Sequence, residues 1–451
     1  MNPSDQQNAK YDKMTRTPVE KLVCTLAVPS ILIMMISALY NMADTYFVAY
    51  LGTSAIAGVG VVFPLMAVIQ ALGFFFGHGS GSYIAREMGA RRAGQASRMA
   101  ATSFIIALLS GALIALSGIC FIARLAGVLG STETILPYAC DYMFFILLGS
   151  PWMMGSITLN CQLRYQGNAI SGLVGMISGA LLNIGLDPVL IFVVHMGVRG
   201  AALATMSSQF VSCTLLFIMT RTRGDIPVRF GDFCPRLSVY REMTRGGIPS
   251  LARQGIASIA AALVNHVAGS YGDTAIAALS IVNRVFWFCI SALTGFGQGF
   301  QPVCSFNYGA GLFDRVKRAY RFCTRTAFIV MSFMGVLLFV FAPRIIMVFR
   351  SDDPRLIEIG SLAMRFQCAV LPLSAWIVLS NMMMQTVGKT VRASVMAASR
   401  QGIFLIPVLF ALSRSLGLLG VELSQPLADI FAFMLSVPLS RSVFGEMKDS
   451  P

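Results

Sequence analysis

The chain alternates long apolar runs with short polar stretches, and twelve such runs can be followed from end to end. In the first half they cover 22–50, 56–80, 99–121, 138–157, 169–195 and 200–219. In the second half they cover 248–271, 275–306, 319–341, 359–384, 394–413 and 416–439. Each reaches the roughly 20 residues that a helix needs to cross hydrocarbon. The pattern predicts an all-α integral membrane protein with twelve transmembrane helices.

A repeat underlies the pattern. Shifting the sequence by 220 lays Pro29-Ser30 on Pro249-Ser250, Gly52 on Gly272 and Ala55-Ile56-Ala57 on Ala275-Ile276-Ala277. The register holds through Gly77/Gly297, Gly79/Gly299, Gly89-Ala90/Gly309-Ala310 and Arg98/Arg318. A shift of 221 then pairs Pro151 with Pro372, Asn160 with Asn381 and Gly167 with Gly388. The expected organisation is a six-helix lobe over 1–220, an Arg-rich connector over 221–246, and a second six-helix lobe over 247–451 with a short tail. An even number of spans gives both lobes the same orientation, so they are parallel repeats about an axis along the membrane normal.

Composition agrees: 56% of the 451 residues are hydrophobic, 12% are charged, and mean hydropathy is +0.72. A soluble protein carries about twice that charged fraction. The net charge of +14 (34 basic minus 20 acidic) is not a nucleic-acid footprint, because the basic residues follow the topology. Counting Arg321, Arg325 and Arg400, which lie toward the ends of their runs, with the side they adjoin, 25 of the 34 fall on one side of the twelve spans, six on the other and three deeper within spans. Lys and Arg gather in short cytoplasmic loops, so both termini of this multi-pass protein are expected in the cytoplasm. The polar first twenty residues and the long apolar run behind them do not read as a cleavable signal.

Several classes of chemistry are missing. The ten cysteines form no CxxC, and there is no HExxH, GxSxG or phosphate-binding loop. GxGxG at Gly77, Gly79 and Gly81 lies inside a span and reads as a close-packing device. Neither an enzyme nor a cofactor is expected, and nothing resembles a channel filter. Transport without direct use of ATP is the leading class, and its energy would come from an ion gradient.

Acids inside spans are the place to look for coupling, since a carboxylate at hydrocarbon depth costs at least ~2.5–3.5 kcal/mol. Asp44 and Asp187 are the clearest. Tyr40, Asn41 and Asp44 lie within one turn and a half of the first span, and Asn183 and Asp187 are four apart in the fifth. Pro188 frees the carbonyl of Ile184 from its helical partner. Carboxylate, amide and loose carbonyl oxygens suit Na⁺, and the same two acids suit a carried proton. The alternative is that each acid bridges helices structurally.

The runs LLNIGLDPVLIF, GVRGAALATMSSQ and GFGQGFQPVCSFNYGAGLFDRVKRA resemble signature segments of the MATE family, the multidrug and toxic compound extrusion transporters, and the last resembles its MepA-like branch. The likeness runs from Thr17 to Gly445. It implies a V-shaped fold of two lobes and efflux of organic cations or amphipathic small molecules by antiport with H⁺ or Na⁺. It places cation coupling, with a possible Na⁺ site, on Asp44, Asn183, Asp187 and Thr205, together with Asn160. In the second lobe Gln254 stands where some branches carry a glutamate, and Val264 stands opposite Asp44, so a second acidic site is not expected there. Tyr40, Asn41, Gln254 and Arg284 are candidates for a substrate cavity. Membrane lipids are the surrounding partners, nucleic acid is not a partner, and a monomer is expected. A flippase for a lipid-linked or amphipathic metabolite is the alternative function.

Overall fold

The twelve apolar runs become helices, as their length and the need to satisfy every backbone group in lipid require. The computed structural model describes residues 3–349 and 353–447, apart from the side chains at positions 3–7, 38–43, 45, 49, 53 and 273. Among the described residues twelve helices are long and apolar enough to cross a membrane, and there is no strand.

The first half consists of α1 (Pro3–Arg16), α2 (Val19–Ala49), α3 (Thr53–Gly89), α4 (Ala93–Cys120), α5 (Ile122–Val128), α6 (Leu136–Tyr165), α7 (Ala169–Pro188) and α8 (Val198–Thr222). The second half consists of α9 (Leu237–Gly269), α10 (Asp273–Gly309), α11 (Phe313–Phe349), α12 (Pro354–Thr386), α13 (Thr390–Ala398), α14 (Leu405–Leu416) and α15 (Leu418–Glu446). A π-helical segment, Ser399–Phe404, joins α13 to α14.

Two compact units are present. One contains 1–17, 28–251 and 305–311; the other contains 18–27, 252–304 and 312–451. In the first, α6 is the central helix, and every residue from Met153 to Tyr165 is buried. Gln162 ties three helices together there, its Nε2 donating to Ser80 Oγ on α3 and to the Ala100 carbonyl and Ser103 Oγ on α4. In the second unit α12 is the counterpart, buried from Leu379 to Thr386.

Lipid is as apolar as leucine, so packing in the bilayer depends on close backbone approach through small residues. The repeated glycines supply it. A Cβ on Gly77 would lie 2.8 Å from Cys161 Sγ, and one on Gly297 would strike Met382 Sδ, the same contact at shifts of 220 and 221. A Cβ on Gly89 would fall on the Phe306 carbonyl oxygen, and one on Gly309 on that of Arg86. Because 86 and 89 map onto 306 and 309 under the same shift, the crossing is reciprocal.

Two features depart from the hydropathy reading. Helices α3, α9 and α11 extend beyond their apolar runs by two turns or more, because a polar turn continues a helix once the span has nucleated it. The polar amino-terminal arm is also helical. Its α1 is held by Lys10 to Asp225 at 3.1 Å, by the Arg91 guanidinium over the Tyr11 ring, and by Asn307 Nδ2 donating to the Met14 carbonyl.

Candidate functional site

Four helices of the first unit meet around two carboxylates. Asp44 is five residues before the end of α2, where burial leaves it 4% exposed. The Tyr142 hydroxyl on α6 donates to Asp44 Oδ2 at 3.3 Å, while Oδ1 has no hydrogen-bond partner among the described residues. Asp187 is fully buried at the end of α7 and close enough to Asp44 for the two charges to interact.

Asn183, one turn before Asp187, bridges to α8. With the amide oriented so that both of its ends find a complementary partner, its nitrogen donates to Asp187 Oδ2 at 3.1 Å, and its oxygen accepts from the Thr205 backbone N–H at 3.2 Å and hydroxyl at 3.3 Å. Pro188 lacks the N–H that would continue the helical ladder. The chain accommodates it by widening the next turn into a π-helical segment, Val189–Val193, which carries Phe192. π-turns of this kind gather at functional sites.

Beyond Asp44 toward the end of α2, aromatic rings crowd together: Tyr46 and Tyr50 share a hydroxyl hydrogen bond of 2.7 Å, and Phe192 packs on Phe47 and Tyr50. Among the described residues neither Asp44 nor Asp187 forms an ion pair with a basic side chain. Two carboxylates, an amide and a hydroxyl in a buried space can hold a cation or a proton. They leave the charge of the carboxylates uncompensated when they hold neither. Among the described residues no group of three or more His, Cys, Asp or Glu is placed to bind a metal ion.

Asn160 is buried on α6, but its amide nitrogen donates to the Gly172 carbonyl at 3.1 Å, and no hydrogen bond joins it to the other four. Its repeat partner Asn381 makes the same contact, to the Ala393 carbonyl at 2.7 Å, again twelve residues on. The side chains of Tyr40 and Asn41 fall outside the described residues. In the second unit Gln254 is half-buried on α9 and Arg284 is exposed on α10. Asp429 of α15 is paired with Arg400, Nε to Oδ1 at 2.7 Å and Nη2 to Oδ2 at 3.0 Å.

Tyr142 and the Tyr46–Phe47–Tyr50–Phe192 group escaped the sequence reading. A tyrosine in an apolar span carries little signal of its own, and only the packing of α6 on α2 gives the Tyr142 hydroxyl its partner.

The MatE family model matches residues 29–189 and 249–411, one copy in each half of the chain. The multidrug export protein MepA of Staphylococcus haemolyticus (strain JCSC1435) is 28% identical over 420 residues, 92% of each chain. Among solved structures, an outward-facing multidrug resistance MATE family transporter of the MOP superfamily superposes with a TM-score of 0.91 at 26% identity, covering 97% of this chain and 98% of that one. A MOP superfamily transporter from Pyrococcus furiosus Vc1, for which the reverse polarity of the binding pocket suggests a different function, matches with the same TM-score, identity and coverage. With a duplicated family match over most of its length and full-length likeness to solved members, the chain belongs to the MatE family, the multidrug and toxic compound extrusion transporters.

Proposed function

We propose that this chain is a secondary active exporter of organic cations and amphipathic small molecules, driven by antiport with H⁺ or Na⁺ across a bacterial inner membrane, with both termini in the cytoplasm. The observation that carries the reading is the buried Asp44–Asp187 pair, braced by Asn183 and Thr205 and without a basic partner. Buried acids lacking a countercharge inside a bilayer stand in a coupling role by default. Homologues named for multidrug export support this substrate class.

In this account the cation or proton binds at Asp44 and Asp187 from outside, and α2 shifts about Pro29. Substrate then leaves, because the two ligands favour different states of the six-helix lobes. Asn160 acts beside the site by holding α6 to α7. Gln254 and Arg284, with Tyr40 and Asn41, contribute to the substrate path.

The test is efflux of a fluorescent organic cation from vesicles containing the purified protein, under an imposed pH gradient and separately under a sodium gradient. Efflux under one gradient, lost in Asp44→Asn and Asp187→Asn at normal folded yield, supports the reading and names the ion. Wild-type rates in both variants overturn it, and no efflux under either gradient points to the flippase instead.

A further inference from the structure

Helix α11 carries an uninterrupted uncharged run from Thr326 to Pro343, bounded by Arg325 and Arg344. At 1.5 Å per residue these two arginines are about 28 Å apart, close to the ~30 Å of a hydrocarbon core. Phe333, Val336 and Val340 on this helix are all more than half exposed, as a lipid-facing surface requires. Arg325 therefore marks one membrane interface, and Arg321, one turn further out, lies at headgroup level.

Alongside these arginines is an open groove of about 370 Å³ between α11, α12 and α15. Its wall is a run of edge-to-face rings: Tyr320 on Trp376 at 6.1 Å and Trp376 on Phe433 at 6.0 Å. Phe328 and Leu373 complete an almost wholly apolar lining. At the mouth Arg321 and Arg325 are exposed, and their four-residue spacing puts them on one helix face. Among the described residues neither pairs with a carboxylate; Arg321 only donates from Nε to the Lys317 carbonyl at 3.4 Å. Neighbouring Arg318, by contrast, is paired with Glu20 at 2.8 Å.

We propose that this groove is a binding site for an anionic phospholipid, with its phosphodiester headgroup on Arg321 and Arg325 and part of one acyl chain along Phe328, Leu373, Trp376 and Phe433. Charge decides the occupant. Two uncompensated guanidiniums at the interface repel an organic cation and attract a phosphodiester, which arginine grips through paired N–H donors. The apolar trough beneath suits an acyl chain and gives nothing to a free phosphate. Basic pockets between transmembrane helices are the usual seat of such headgroups. The site is independent of the coupling chemistry at Asp44 and Asp187.

Native mass spectrometry of the full-length protein, titrated with palmitoyl-oleoyl phosphatidylglycerol and with the phosphatidylcholine of the same chains, tests it. The wild-type protein should retain one phosphatidylglycerol more tightly than phosphatidylcholine. R321Q/R325Q should weaken that retention about thirty-fold, as expected of two surface cations, leave phosphatidylcholine unchanged, and be rescued by R321K/R325K. Leu373→Trp, which fills the trough and spares the arginines, should also release the lipid, so the idea does not depend on one variant folding. Equal retention of the two lipids by the wild type overturns it. Undiminished phosphatidylglycerol binding by R321Q/R325Q does so too, as does displacement by glycerol phosphate with no effect of Leu373→Trp, which would make the site one for small anions.

Discussion

Replacing Asp429 by alanine would strand the Arg400 guanidinium, whose side chain is 20% exposed, against a carboxylate position only 5% exposed. The pair is bidentate, and Gln425 Nε2 gives the same carboxylate a third hydrogen bond at 2.9 Å. Breaking a buried pair by removing one partner costs about 3–5 kcal/mol, whereas replacing both partners with apolar residues is neutral or stabilising. At roughly 2–4 °C per kcal/mol for a cooperative unit of about 200 residues, Asp429→Ala should melt roughly 6–20 °C lower in a thermal-shift assay. The double variant Arg400→Met with Asp429→Leu should recover most of that loss. Export per folded molecule should then be close to wild type, because the acid acts as a partner for Arg400 and not as an ion carrier. The reasoning is refuted if Asp429→Ala melts normally yet transports nothing, or if the double variant is as unstable as the single one.

Asn160→Ala and Asn381→Ala should destabilise the fold by similar amounts, about 1 kcal/mol each, read as a lower melting temperature, since each loses a buried hydrogen bond to a helix carbonyl; loss of export in Asn160→Ala alone, at unchanged stability, would give that residue a coupling role. Tyr142→Phe removes the donor to Asp44. At 3.3 Å this bond belongs at the weak end of the ~1.5–3 kcal/mol expected for a charged acceptor, so half-maximal export should need about ten-fold less of the coupling ion; an unchanged ion dependence would exclude the contact from the mechanism. Gly89→Val and Gly309→Val should each collapse folded yield in a size-exclusion assay, because the new side chain meets a facing carbonyl, while Gly94→Ala, with open space around it, should fold normally.

The fold was legible because the bilayer imposes a simple rule: twelve apolar stretches of spanning length become twelve helices, and Gly77, Gly89, Gly297 and Gly309 recur in register because each sits where two helices nearly touch. The acids of the candidate site stood out for the same reason, as Asp44 and Asp187 interrupt apolar runs in which any charge is costly. What was hidden depends on tertiary contact. Nothing in the polar arm around Lys10 announces Asp225, and nothing in α6 distinguishes Tyr142, which bonds to Asp44, from a lipid-facing tyrosine. Asn160 shows the converse: polar burial marked it, but only the structure shows that its amide is turned to Gly172. Hydropathy likewise located the spans without their polar ends, since it measures transfer into lipid and not the continuation of a helix beyond it.

The most direct test of ion coupling runs the cycle backwards, because coupling between two ligands is reciprocal. In vesicles preloaded with the coupling ion and bathed in ion-free medium, an added organic cation should drive ion movement recorded by an internal indicator dye. The account predicts a signal that rises with substrate concentration in the wild-type protein and is absent in Asp44→Asn and in Asp187→Asn. Substrate movement with no ion signal in the wild type, or an undiminished ion signal in either variant, would contradict it.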